Sequence, residues 1–149
     1  MLLAFVFGAP DTGTQASQSV RQFFQAEHMV DVILKRFEHP DEVTYFDKGK
    51  FETVKLGGMT IGRATYEPGW KWSEDVGPGI GEAFCSVEHV GMVVSGCATA
   101  AFPDGRLTEM NPGDLFYVPP APHDSWVVGD KPYVSLHFMG AGKYAKNSA

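Results

Sequence analysis

From Phe51 onward the chain breaks into short apolar runs separated by turn residues, and this punctuation constrains the fold more than any other feature. The runs are Met59–Tyr66, Val87–Val94, Cys97–Phe102, Leu115–Val118, Ser125–Val128 and Tyr133–Phe138. Between them stand Pro68-Gly69, Gly77-Pro78-Gly79, Pro103-Asp104-Gly105, Pro112-Gly113-Asp114 and Gly129-Asp130-Lys131-Pro132. Each run is long enough for a strand and too short for a stable helix, and Gly, Pro and Asp supply the backbone angles that chain reversals need. The spacing predicts an all-β sandwich or barrel. Seventeen Gly and ten Pro fit many turns, and their interleaving with eleven Phe, five Tyr and three Trp speaks for a packed core rather than disorder.

The N-terminal part has a different pattern. Residues 1–16 end in a polar Asp11-Thr12-Gly13-Thr14-Gln15 stretch and read as a loose extension. Over 17–37, Phe23, Phe24, Val30, Ile33, Leu34 and Phe37 recur at three- and four-residue spacings, which predicts one amphipathic helix. Ser17 or Ser19 suits its N-cap, and His39-Pro40 closes this zone at residue 40. Residues 141–149 read as a C-terminal tail. At 149 residues there is room for one ordinary domain.

Charge and cysteine usage bound the partners. A net charge of −6 with no basic run argues against nucleic acid and against an anionic membrane surface. The apolar stretch Met1 to Pro10 has no preceding Lys or Arg and is too short to span a bilayer, so neither export nor membrane insertion is expected. Cys85 and Cys97 are too few for a disulfide framework, and two free thiols in a cytoplasmic protein are expected.

The segment Pro112-Gly113-Asp114-Leu115-Phe116-Tyr117-Val118-Pro119-Pro120-Ala121-Pro122-His123 carries the chemistry. A Gly-Asp turn leads into a four-residue apolar strand, and a proline-rich corner ends that strand and displays His123. This resembles the second conserved motif of the cupins, in which the final His is a metal ligand; the corner here is one residue shorter than in many of them. Val90-Gly91-Met92-Val93-Val94-Ser95-Gly96 is similar to the apolar strand and Gly that end the first cupin motif. Where that motif has Glu, this chain has His89, and its pair of histidines is missing. Pro68-Gly69-Trp70-Lys71-Trp72-Ser73-Glu74-Asp75 resembles a segment of small single-domain bacterial cupins, with Asp75 in place of that subgroup's His.

The resemblance covers roughly residues 50–140 and implies a double-stranded β-helix (jelly-roll) barrel. It also implies a divalent transition metal, a small-molecule ligand in the barrel and a homodimer. The implied activity is that of a metal-binding cupin acting on a small organic molecule as an oxygenase, isomerase or decarboxylase. A non-catalytic sensing or binding module for a small ligand or a metal is the alternative.

The ligand set follows from how these segments could meet. Folding residues 70–75 back on 84–89 about a Gly77–Gly81 hairpin tip would bring Glu74 or Asp75 beside His89, with His123 arriving from another strand. Only one of the two adjacent carboxylates would face inward. Cys85 lies on the same strand face as His89 but roughly 13 Å away at about 3.3 Å per residue, so both reach one ion only if the chain bends. Imidazoles with a carboxylate are compatible with Zn or Fe, and also with Mn, Ni or Cu. The expected pocket lining is Trp72, Cys85, Tyr117, Trp126 and His137, with Asp124 either orienting His123 or capping a turn.

Overall fold

The computed structural model describes residues 31–146. The chain divides into two units, residues 1–34 and 35–149, and the strands all belong to the second. The loose extension expected over 1–16 and most of the helix expected over 17–37 lie outside the described residues. The described end of that helix is not helical: residues 31–36 have no regular secondary structure and 37–39 form a turn. No helix among the described residues is long and apolar enough to cross a membrane.

Nine strands follow, with two single-turn helices between the third and fourth. They are β1 Glu42–Phe46, β2 Gly49–Leu56, β3 Met59–Tyr66, α1 Trp72–Asp75, α2 Gly77–Ile80, β4 His89–Ser95, β5 Cys97–Ala101, β6 Leu107–Met110, β7 Leu115–Val118, β8 Val127–Val128 and β9 Tyr133–Met139. Six form a sheet in the order β1-β2-β3-β9-β4-β7, and three form a second sheet in the order β6-β5-β8. Every pairing is antiparallel. The last strand therefore returns to the middle of the larger sheet, between β3 and β4, which produces the jelly-roll barrel.

Alternation sets what faces inward. In β4 the buried residues are His89, Gly91 and Val93, and in β9 they are Tyr133, Ser135 and His137. Gly91 is required by close approach: a Cβ there would run into the Leu136 carbonyl oxygen and the Phe116 ring. The core joins Phe51, Tyr66, Trp70, Trp72, Val93 and Tyr144. Ala141 and Tyr144 are buried, so residues 140–144 form a turn that packs into the barrel rather than a free tail.

Candidate metal centre

Cys85, His89 and His123 meet at one point inside the barrel. All three are buried, and one donor atom from each lies within 4.8 Å of the others. Cys85 and His123 form an antiparallel bridge, exchanging backbone hydrogen bonds of 2.9 Å in both directions, which sets their side chains on the same side. His89 opens β4 opposite Val118, the last residue of the strand that runs into the proline corner. The chain from Cys85 to His89 is not a straight strand; residues 86–88 are irregular, and the bend brings Cys85 Sγ to 3.4 Å from His89 Nε2.

The Cys85 Sγ–His89 Nε2 separation suits two ligands of one transition metal, and His123 lies within 4.8 Å of both. Zn–S and Zn–N bonds of about 2.3 and 2.0–2.1 Å at tetrahedral angles place donors roughly 3.3–3.6 Å apart. His123 Nδ1 lies 2.8 Å from the Ala121 carbonyl oxygen. A carbonyl only accepts, so Nδ1 carries the proton and Nε2 keeps its lone pair for the cluster. Burial, with His137 and His123 nearby, pushes the His89 imidazole down to about 3. Burial also lowers His123 and raises the Cys85 thiol to about 11. Near neutral pH the cluster is thus a thiol with two neutral imidazoles, three soft or borderline donors without a net charge.

His137 stands behind His89, ring centroids 5.5 Å apart, outside the three-residue cluster. Its Nε2 pairs with Ser135 Oγ at 3.0 Å, and burial lowers it to about 4. Trp72, Cys85 and His137 line the inner cavity together with Tyr66, Trp70 and Tyr144. That cavity holds about 50 Å³. A water molecule's share of the liquid is ≈ 30 Å³, and organic-ligand pockets run to about 300–1,000 Å³. The inner room therefore suits an ion and a very small ligand group. A cleft of about 930 Å³, bordered by Phe84, Glu88, Phe138 and Lys143, shares Trp72 and Cys85 with it.

Other expected site residues are elsewhere. The hairpin over Gly77–Gly81 is replaced by α1 and α2, and this turns both carboxylates away from the cluster. The Glu74 side chain is 63% exposed and pairs with Lys71. Asp75 Oδ2 accepts the Lys71 backbone N–H at 2.7 Å, and Lys48 Nζ lies 3.1 Å from Oδ1. Acidic side chains at the start of a helix offset its unpaired N–H groups, so the local sequence favours this turn over a strand. Tyr117 lies on the outer face of β7 and donates its hydroxyl to Glu88, because inward positions in that strand fall to Phe116 and Val118. Asp124 accepts Ser73 N–H and Oγ–H at 3.0 and 2.8 Å, so it ties down α1 rather than the His123 ring. Trp126 is half-buried and does not border the inner cavity.

Strand alternation marks two further wall residues. Tyr66 shares the inward face of β3 with Gly62 and Ala64, and Ser135 shares that of β9 with His137. Trp70 lies just beyond β3 and stacks on Tyr66. Tyr144, in the terminal turn, has no periodicity to reveal it.

The architecture is the double-stranded β-helix of the cupins. Similar solved structures include a cupin 2 conserved barrel domain protein from Salinispora arenicola CNS-205, at a TM-score of 0.50 and 12% identity over 74% of this chain and 92% of that one. A protein of unknown function from Rhizobium leguminosarum bv. viciae 3841 aligns at 0.50 and 18% identity, covering 74% and 97%. Oxalate decarboxylase from Lactobacillus farciminis aligns at 0.50 and 14% identity, covering 74% of this chain and 35% of that one. At these identities the likeness is one of fold. The sequence matches no protein-family profile, and no curated protein is significantly similar to it.

Proposed function

We propose that the chain is a metal-binding cupin in which Cys85, His89 and His123 hold one divalent transition metal, Zn or Fe, and that it acts on a small organic molecule. The observation that carries this reading is the convergence of one buried thiol and two buried imidazoles inside the barrel, their donor atoms all within 4.8 Å of one another and Cys85 Sγ 3.4 Å from His89 Nε2. Three protein donors leave a coordination position open, as in catalytic rather than structural sites. An ion so held supplies Lewis-acid polarisation of an oxygen group on the ligand. The Ala121 carbonyl fixes the His123 tautomer, and Tyr66, Trp70, Trp72 and Tyr144 supply an aromatic wall to the cavity that the donors line. An organic ligand is admitted from the outer cleft, with only its reactive end entering the inner cavity. The small inner volume also favours a second reading, a metal-sensing module without organic chemistry.

Elemental analysis of protein purified without a metal-affinity step, then incubated with Zn(II) or Fe(II), tests the reading. About one bound equivalent is expected for wild type, with loss of bound metal in Cys85→Ser and in the His89→Ala/His123→Ala variant. Wild type that retains no metal sinks the proposal, and a double variant that retains it sinks the ligand assignment.

Proton release checks the donor set separately. The imidazoles are already neutral above their lowered values, while the Cys85 thiol at about 11 must ionise to bind metal. Binding should release about one proton per ion, and affinity should rise about tenfold per pH unit between about pH 7 and about pH 10. Calorimetry in buffers of different ionisation enthalpy measures this. A pH-independent affinity would show that the thiol is not a ligand.

A further inference from the structure

Strand β7 ends one side of the six-stranded sheet and is bonded there to β4. Its other edge pairs with no strand among the described residues. Val93 N–H donates to the Asp114 carbonyl at 3.0 Å, so strand alternation points the backbone groups of Gly91 and His89 toward β7 as well. Their register partners Phe116 and Val118 face back, which turns the N–H and C=O of Leu115 and Tyr117 to the open edge. The side chains of these same two residues stand on the outer face of the sheet, 76% and 61% exposed.

Sheet edges commonly carry a charge, a proline or a bulge, or are very short, because an open row of backbone groups invites pairing. The other edge strands here are guarded in this way. β1 contains Glu42, which pairs with Lys146 Nζ at 3.1 Å, β6 contains Glu109, and β8 has two residues. β7 reads Leu-Phe-Tyr-Val, with no charge and no proline inside it. On a chain of net charge −6, an uncharged edge offers a second copy an approach without local like-charge contact.

We infer that β7 is a self-association edge, at which two copies of this chain pair antiparallel about a two-fold axis through Phe116. Leu115 and Tyr117 are placed symmetrically about Phe116, so each Leu115 exchanges N–H···O=C bonds with the partner's Tyr117. Every outward N–H and C=O of both residues is then paired, in both copies at once, and the assembly closes. The same register places Asp114 opposite the partner's Val118, so no like charges meet across the pair. The Asp114 carboxylate is moreover engaged in its own turn, where it accepts the Asn111 N–H at 2.7 Å. On the outer face Leu115 packs beside the partner's Tyr117, an aliphatic–aromatic cross-strand pair made twice by symmetry. The Tyr117 hydroxyl donates to Glu88 at 2.9 Å, which holds the ring on that face. The pairing is independent of the metal reading.

Sedimentation velocity of the full chain between about 1 and about 100 μM tests this, with a dimer expected for wild type at the upper end. Leu115→Lys sets an ammonium group beside the partner's Tyr117. Tyr117→Pro removes the N–H that faces the open edge and spares the bonds to β4. Each variant should weaken dimerisation about tenfold or more while keeping the far-UV circular dichroism of wild type. Tyr45→Lys, an exposed position at the opposite edge of the same sheet, should leave the dimer intact. Wild type that stays monomeric at about 100 μM overturns the inference, as does a dimer that survives in both folded β7 variants. Amide hydrogen exchange of wild type, read by NMR, decides the matter even where a variant fails to fold. The Leu115 and Tyr117 amides should be protected at high protein concentration and exchange quickly on dilution, while those of Phe116 and Val118 stay protected throughout. Exchange at Leu115 and Tyr117 that does not change with concentration overturns the pairing.

Discussion

Lowering the pH of the metal-free protein from about 6.5 to about 4 is expected to remove on the order of 3 kcal/mol of stability for each of two buried histidines. His89 and His137 are pushed by burial from 6.5 down to about 3 and about 4 in the folded chain, His89 further by its histidine neighbours. Above the unfolded value both states carry neutral rings and the two residues contribute no pH dependence. Below it the unfolded chain takes up protons that the folded chain refuses, so stability falls with pH until the folded values are reached. Two such losses are comparable with a total stability of about 5–15 kcal/mol, so the metal-free protein should unfold in mild acid. Urea titrations across this range in the presence of a chelator measure the slope. The part between about pH 6.5 and about pH 5 is diagnostic, since it lies above the ordinary carboxylate range. Stability that is flat there would contradict the neutral, buried state assigned to these rings.

Trp70→Ala is expected to cost about 3–5 kcal/mol, the range for removing a large aromatic side chain from a core. Trp70 is 1% exposed, stacks on Tyr66, and forms part of a cavity wall. Truncation would enlarge an existing void and abolish the aromatic pair, with no neighbour free to collapse into the space because Tyr66 is also bound through its hydroxyl to Tyr144 at 2.7 Å. Chemical denaturation of wild type and variant measures the difference. Trp70→Phe should retain part of the packing and lose less. A loss below about 1 kcal/mol for the alanine variant would mean that the stack contributes little to the fold.

The strands with apolar alternation and glycine or proline boundaries are legible in the sequence: β3, β4, β5, β7, β8 and β9 fall within or beside the expected runs. Their side-chain period and their turns are local properties, written in neighbouring residues. The hairpin of β1 and β2 starts earlier than residue 50, and β6 lies outside every apolar run of the sequence. The β6 sequence Leu107-Thr108-Glu109-Met110 exposes three of its four residues, so it has no apolar run to announce it. It is a strand because β5 pairs with it, which is a tertiary circumstance.

The candidate site divides in the same way. The proline corner at Pro119–Pro122 and the inward phase of β4 marked His123 and His89, because each depends on a few adjacent residues. Cys85 was set about 13 Å from His89 by assuming a straight strand, and the bend over residues 86–88 places them together instead. Glu74 and Asp75 were drawn inward by an assumed hairpin, whereas a helical turn, Lys48 and Lys71 hold Asp75 and turn Glu74 to solvent. By itself, the sequence determined an all-β barrel with a displayed histidine, since alternation and turn chemistry act over short range. Only the tertiary structure decided that a thiol, rather than a carboxylate, completes the cluster, because that choice depends on a bridge between Cys85 and His123 and on a bend that distant packing imposes.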